Sequence, residues 1–149
     1  MQQQLDTERN ISAQMAATHS GYQYLKSLKS AIFERQKSVA NDKPALELLE
    51  GLSKQVTDLA EGSPTELGIG PLNRELGRLA TMIESGDSRP AAALQSGVDQ
   101  SCQQLGKRLA QWRELQAGAM ASTNALLQKG GQQPLPVMSK IPMGPNCSK

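Results

Sequence analysis

The sequence contains few of the residues that build metal sites, catalytic clusters and aromatic cores. It has one histidine, two cysteines and only 3% aromatic residues in a chain of 149. A single imidazole, that of His19, cannot form a histidine pair for a metal, and the cysteines lack Cys-x-x-Cys spacing for zinc. No carboxylate lies at helical spacing from His19 to orient or activate it. We therefore predict no catalytic residue, no bound metal and no cofactor, and we expect a protein that is not an enzyme.

Long apolar runs and blocks of one charge are also missing. No stretch approaches the ~20 apolar residues that a membrane-spanning helix needs, and the first ten residues lack the apolar run of a signal peptide. The formal net charge is +2, and acidic and basic residues are interspersed along the chain. Because few rings are available to stack on bases, the basic residues favour a solvated surface over nucleic-acid binding. We expect neither membrane insertion nor a nucleic-acid partner.

Four segments carry apolar residues at alternating spacings of three and four, which is typical of amphipathic helices. The lack of aromatics leaves Leu, Ile, Val, Met and Ala to build the core, which also favours helices over sheets. The first predicted helix covers 5–39 and the third covers 71–86. The second is capped at 41–44 and ends at 62–64, and the fourth is capped at 87–90 and ends at 130–131. Short turns between consecutive helices predict antiparallel neighbours. The expected fold is all-α, an antiparallel up-and-down four-helix bundle.

The apolar residues at these spacings are the ones that we expect in the core. Those on the last three helices serve as core anchors: Leu49, Leu52, Val56, Leu76, Leu79, Leu105, Leu109 and Trp112. On the first helix the stripe is expected to include Met15 and Tyr22, and on the fourth to continue through Ala119 and Leu126.

Helix lengths predict where the bundle meets a partner. At 1.5 Å per residue, helices one and four should reach roughly 50–58 Å and helices two and three roughly 25–30 Å. The long pair should project beyond the short pair. Residues 1–131 would form the bundle, and 132–149, with four prolines, an extended tail partly packed on it. A junction at the projecting end would use Asn124, Leu135, Val137 and Ile141.

The two cysteines allow two interpretations. A disulfide between Cys102 and Cys147 would tie the tail to the body of the protein. Cys102 lies in the apolar stripe of the fourth helix, however, where a buried free thiol is the alternative.

A spaced motif in the second half of the chain resembles a known family. A capped helix carries Trp112-x-x-Leu115, then Asn124-x-x-Leu127, then a glycine and a short Pro-rich ending. This order is similar to the C-terminal helical region of bacterial sortilin-like, BNR-repeat β-propeller proteins, often labelled glycosyl hydrolases. The run from Gly70 to Leu76 also resembles the helix that precedes this region in the family. The chain has no propeller, no Asp-box repeats and no glycosidase carboxylate pair, so no catalytic residue carries over.

The resemblance implies an accessory helical bundle detached from an exported, periplasmic or secreted parent, whose hydrolase activity would belong to the propeller. The partner would be that propeller or another chain. An alternative is an extracytoplasmic bundle that senses a ligand or binds a partner, using a gap near His19 and Gly21. A third interpretation, a metal-dependent helical enzyme, is disfavoured by the single histidine. The sequence does not determine the oligomeric state.

Overall fold

The computed structural model describes residues 2–86, 91–142 and 147, and within them the regular elements are helical and no strand occurs. The helices are α1 (Gln2–Ser38), α2 (Lys43–Glu61), α3 (Ile69–Glu84) and α4 (Ala91–Leu115). A π-helical turn, Gln116–Met120, continues α4 without a break into α5 (Ala121–Lys129). If α4, the π-turn and α5 are counted as one rod, the described chain has two long and two short helices, as predicted.

Local sequence explains most of the helix ends. Asp42 caps α2 by accepting a hydrogen bond from the Ala45 main-chain N–H at 3.2 Å, and Pro44 occupies the first turn. Gly62, at φ 93°, ends α2 in a conformation that favours glycine. Helix α3 begins at Ile69, two residues before the predicted Pro71. The cap predicted for the fourth helix, at 87–90, lies outside the described residues.

The order of the rods differs from the prediction because α1 and the α4–α5 rod run in the same direction. Near the start of both helices, the Thr7 hydroxyl lies 2.7 Å from the side-chain oxygen of Gln95. In the middle, the rings of Tyr24 and Trp112 stack at 5.1 Å. Near the end, Arg35 binds the segment that follows α5. The contacts therefore progress along both helices from start to end, which defines a parallel pair.

Helices α2 and α3 lie end to end along this pair. Helix α2 packs on the second half of α1, where Tyr22 donates a 2.8 Å hydrogen bond to Glu61. Helix α3 packs on the first half, where Asn73 donates to Thr18 at 2.6 Å. Both run opposite to α1. The number of helices agrees with the prediction, but the up-and-down order does not. Two unbroken rods flank a third that is interrupted between α2 and α3, and the long pair does not project beyond the short one.

The segment between α2 and α3, residues 62–68, is a tight excursion, after which the chain continues in the direction of α2. Gly62 and Leu67 form an isolated antiparallel bridge, so the chain leaves and re-enters at nearly the same point. A Cβ on Gly68 would lie 2.4 Å from the main-chain nitrogen of Gly62, so the close approach requires glycine. Arg108 of α4, which is buried, donates to the Leu67 carbonyl at 2.8 Å and to Asp58 at 2.9 Å. This guanidinium holds the excursion against the long rod.

Apolar side chains from every helix form the core. The eight predicted core anchors are all buried. On α1, however, the buried positions between Ile11 and Leu25 are Gln14, Thr18 and Gly21, while Met15 and Tyr22 are only half-buried. A Cβ on Gly21 would lie 3.2 Å from Trp112. Gly21 therefore lets α1 approach the indole closely.

The π-turn shifts the buried face of the fourth rod by one residue. A π-turn takes up one more residue than an α-helical turn, so the next inward position comes later in the sequence. Met120 is buried and Ala119 is exposed, and farther along Leu127 is buried while Leu126 is half-buried. The prediction for Ala119 assumed an unbroken α-helical period and was wrong for that reason. Leu126 does pack against the core, but it is less buried than Leu127.

Candidate interaction surface

The segment 132–142, together with Cys147, runs back over the bundle and is called the C-terminal strap here. Its first attachment is Asn124 of α5. The side-chain oxygen of Asn124 accepts a hydrogen bond from the Leu135 N–H at 2.7 Å, and its amide nitrogen donates to the Leu135 carbonyl at 3.3 Å. One side chain thus satisfies both main-chain groups of an extended residue, as a neighbouring strand would. Leu135 itself is buried against the core.

Gln116, the first residue of the π-turn, repeats this arrangement farther along the strap. Its side-chain oxygen accepts from the Met138 N–H at 3.0 Å, and its nitrogen donates to the Met138 carbonyl at 2.9 Å. Since Pro134 and Pro136 have no N–H, these two amide side chains bind strap residues that still need both partners.

Side chains of α1 and α4 hold strap carbonyls from either side. The Tyr24 hydroxyl donates to the Pro136 carbonyl at 2.5 Å, and Arg35 donates to the Gln133 carbonyl at 2.8 Å. Arg113 donates to the Pro142 carbonyl at 3.3 Å. Burial raises the pKa of Tyr24 above its ordinary value, so the phenol keeps the proton that it donates.

A disulfide fixes the far end of the strap. Cys147 is bonded to Cys102 of α4, with a Cα–Cα distance of 5.6 Å. Cys102 is fully buried. The bond closes a loop spanning 45 residues of sequence, which contains the π-turn, α5 and the strap.

One side of the strap borders an open, mostly apolar groove of about 380 Å³. Ala117 of the π-turn lies on one wall, and Val137, Met138 and Ile141 of the strap lie on the other. Val137 is 56% exposed. Arg113 lies at the edge of the groove and adds a positive charge.

The predicted junction residues therefore divide into two groups. Leu135 and Ile141 are buried and Asn124 is half-buried, so these three hold the strap to the bundle. Val137 alone presents most of its side chain to solvent. Since no pair of helices projects, the structure removes the basis for a junction at a projecting end.

Within residues 2–86, 91–142 and 147, no group of three His, Cys, Asp or Glu side chains could share a metal ion. No helix there combines the length and the apolar character needed to cross a membrane.

Comparisons with models of protein families, with curated proteins and with solved structures gave no match to this chain. The resemblance of the Trp112 and Asn124 motif to a known family is therefore supported only by the sequence of the motif itself. The structure links those residues physically: Trp112 stacks on Tyr24, whose hydroxyl binds Pro136 of the strap, and Asn124 binds the preceding strap residue, Leu135.

Proposed function

We propose that this chain is a non-catalytic helical module that packs against a β-propeller domain of an exported bacterial protein. The observation that carries the proposal is the groove beside the strap, where Val137 and Ala117 offer apolar surface to a partner. Exposed apolar side chains beside a polar edge are typical of protein interfaces. The strap is held by five side chains and a disulfide, so the surface is formed before a partner arrives and little ordering entropy opposes binding.

Two further observations support the partner and the compartment. The Trp112 and Asn124 motif, which suggests the propeller association, belongs to the same structural unit as this groove. The Cys102–Cys147 bond favours an oxidising compartment, since disulfides persist in secreted and periplasmic proteins and are rare in the cytosol. Any hydrolase activity would belong to the propeller.

The first test is the genomic reading frame around this sequence, where a propeller should be encoded in the same or an adjacent frame. Both parts are then produced separately and their affinity is measured by calorimetry. Val137→Asp should weaken binding by about tenfold or more, because a buried valine contributes roughly 1.5 kcal/mol and a desolvated charge adds a penalty.

A matched control is Leu48→Asp, which places the same charge at another exposed apolar residue, on α2. It should leave the affinity within about twofold, because Leu48 does not line the groove. A twofold change corresponds to less than ~0.5 kcal/mol. Absence of a propeller in either frame would refute the proposed partner. Equal weakening by the two variants would refute the groove as the interface.

A further inference from the structure

A second concave site lies between α1 and α3 and shares no residue with the strap or its groove. It encloses about 250 Å³. His19, Tyr22 and Lys26 line it from α1, and Asn73 and Arg74 line it from α3. This volume is below the roughly 300–1,000 Å³ of pockets for drug-sized ligands, so a small ligand would fit.

Apart from the neutral phenol of Tyr22, the ionisable groups that line the cavity are basic. Lys26 and Arg74 stand on opposite walls with His19 beside them, and no Asp or Glu is among the lining residues. None of the three takes part in an ion pair in the described part of the chain, whereas Arg78, one turn farther along α3, pairs with Glu75. Unpaired positive charge in a partly enclosed site raises the local potential for an anion.

The carboxylate of Glu61 does not line the cavity but is bound to Tyr22, which does. It accepts the hydrogen bond of the Tyr22 hydroxyl at 2.8 Å, and this bond raises the pKa of Tyr22. The phenol therefore stays neutral beside the cavity. Lys26 is positioned by the ring of the same tyrosine, with Nζ 5.6 Å from the ring centroid.

The start of α3 adds to the positive potential. Gly70, in its first turn, lines the cavity, and no side chain caps this helix end. The first N–H groups of a helix carry partial positive charge and favour anions near them. A Cβ on Gly70 would lie 2.9 Å from the Tyr22 ring, so glycine allows the tyrosine to close this side of the site.

We propose that this cavity binds a small oxyanion, either a phosphate group or a carboxylate, through Arg74 and Lys26, with His19 at its edge. Arg74 presents a planar fork of donors that matches either anion, and Lys26 adds a second charge from the facing helix. The site would give the module a ligand-binding role that is independent of the protein interface proposed above.

The test uses the whole chain and the imidazole of His19 as reporter. Because His19 is the only histidine, its ring gives a single set of NMR signals. Inorganic phosphate and succinate are titrated separately in chloride buffer at constant ionic strength and pH. We expect a saturable shift of the imidazole signals with at least one of the two anions, with a dissociation constant in the millimolar range.

Variants then locate the site. Arg74→Gln should weaken binding by about tenfold, since hydrogen bonds to charged groups contribute more than ~1.4 kcal/mol, and Lys26→Gln should weaken it in the same direction. Lys54→Gln, an exposed lysine on α2, makes the same change in net charge and should leave affinity nearly unchanged. All three side chains are exposed, so the helical signal and thermal midpoint should be retained. If either Arg74→Gln or Lys26→Gln unfolds, the affinity of the other variant still tests whether the cavity is the binding site.

Saturation with phosphate alone would indicate a phosphorylated ligand, and saturation with succinate alone a carboxylate. Shifts that grow linearly with both anions would overturn the proposal. It would also be overturned if Lys54→Gln weakened binding as much as Arg74→Gln, because the effect would then reflect net charge and not this cavity.

Discussion

Breaking the disulfide should cost a large part of the stability of this protein without unfolding it. In the chain-entropy description, a cross-link that closes a loop of 45 residues lowers the entropy of the unfolded chain enough to stabilise the fold by about 4 kcal/mol at 25 °C. Domains are typically stable by about 5–15 kcal/mol. The reduced protein should therefore remain folded but with a much smaller margin.

Cys147→Ser is the cleaner perturbation, because Cys102 is fully buried and a hydroxyl there would add a desolvation penalty of its own. Urea unfolding followed by circular dichroism should give a free energy of unfolding lower by about 4 kcal/mol than that of the oxidised protein. The m-value should rise, since an unfolded chain without the cross-link exposes more surface. Native protein treated with a reductant should behave like the variant.

Two results would refute this reasoning. One is a difference below about 1 kcal/mol between oxidised protein and variant, which is far from the value for a loop of this length. The other is alkylation of both cysteines in unreduced, denatured protein, observed as a mass increase. A Cys147→Ser protein that loses its helical signal at room temperature would show that the strap contributes more than loop closure does.

Three other substitutions test single interactions. Asn124→Ala should lower stability by about 1–3 kcal/mol and speed hydrogen exchange at the Leu135 amide, which loses its acceptor; unchanged exchange would contradict the role given to this side chain. Gln14→Met should raise the free energy of unfolding in urea by about 1–3 kcal/mol, because both side-chain polar atoms of Gln14 are buried without a partner; a less stable variant would count against this interpretation. Because the pKa of Tyr24 is raised in the folded protein, its protonated phenol contributes to the free energy of unfolding below the ordinary phenol pKa near ~10. That contribution is lost as the pH rises through the pKa of Tyr24 in the folded protein. Native protein should therefore lose stability more steeply above about pH 10 than Tyr24→Phe; equal slopes would show that Tyr24 is not responsible.

The sequence was sufficient to predict the helices because their local determinants are strong. The Asp42 cap and the apolar stripe through Leu49, Leu52 and Val56 define α2 without reference to the rest of the chain. Connectivity between helices is not encoded in this local way. A short link usually reverses the chain, but the link between α2 and α3 closes on itself through Gly62 and Gly68 and leaves α3 running onward.

Polar residues occupy several positions on the buried faces, which the apolar stripes did not indicate. Gln14 and Thr18 continue the spacing of Ile11 and Leu25 on α1, and Arg108 lies between the buried Leu105 and Trp112 on α4. The helical period alone would have placed all three inward. These three are not among the predicted core residues, and only the tertiary contacts show how Arg108 is satisfied.

The strap was only partly predictable from the sequence. Its prolines exclude a helix, and its apolar residues indicated packing, but which of them face inward depends on two amide side chains that lie elsewhere in the chain. Asn124 and Gln116 orient Leu135 and Met138, and Val137 between them turns outward. The π-turn that presents Gln116 has no marker in the sequence that we could identify.

The break between α2 and α3 does not make the protein a hinge. A bend at that point would also have to bend α1 and α4, which pass the break as continuous helices on either side. Load applied along the molecule would be carried by these two parallel rods, of which α1 alone measures about 56 Å. A protein built in this way resists bending at the point where its third rod is interrupted.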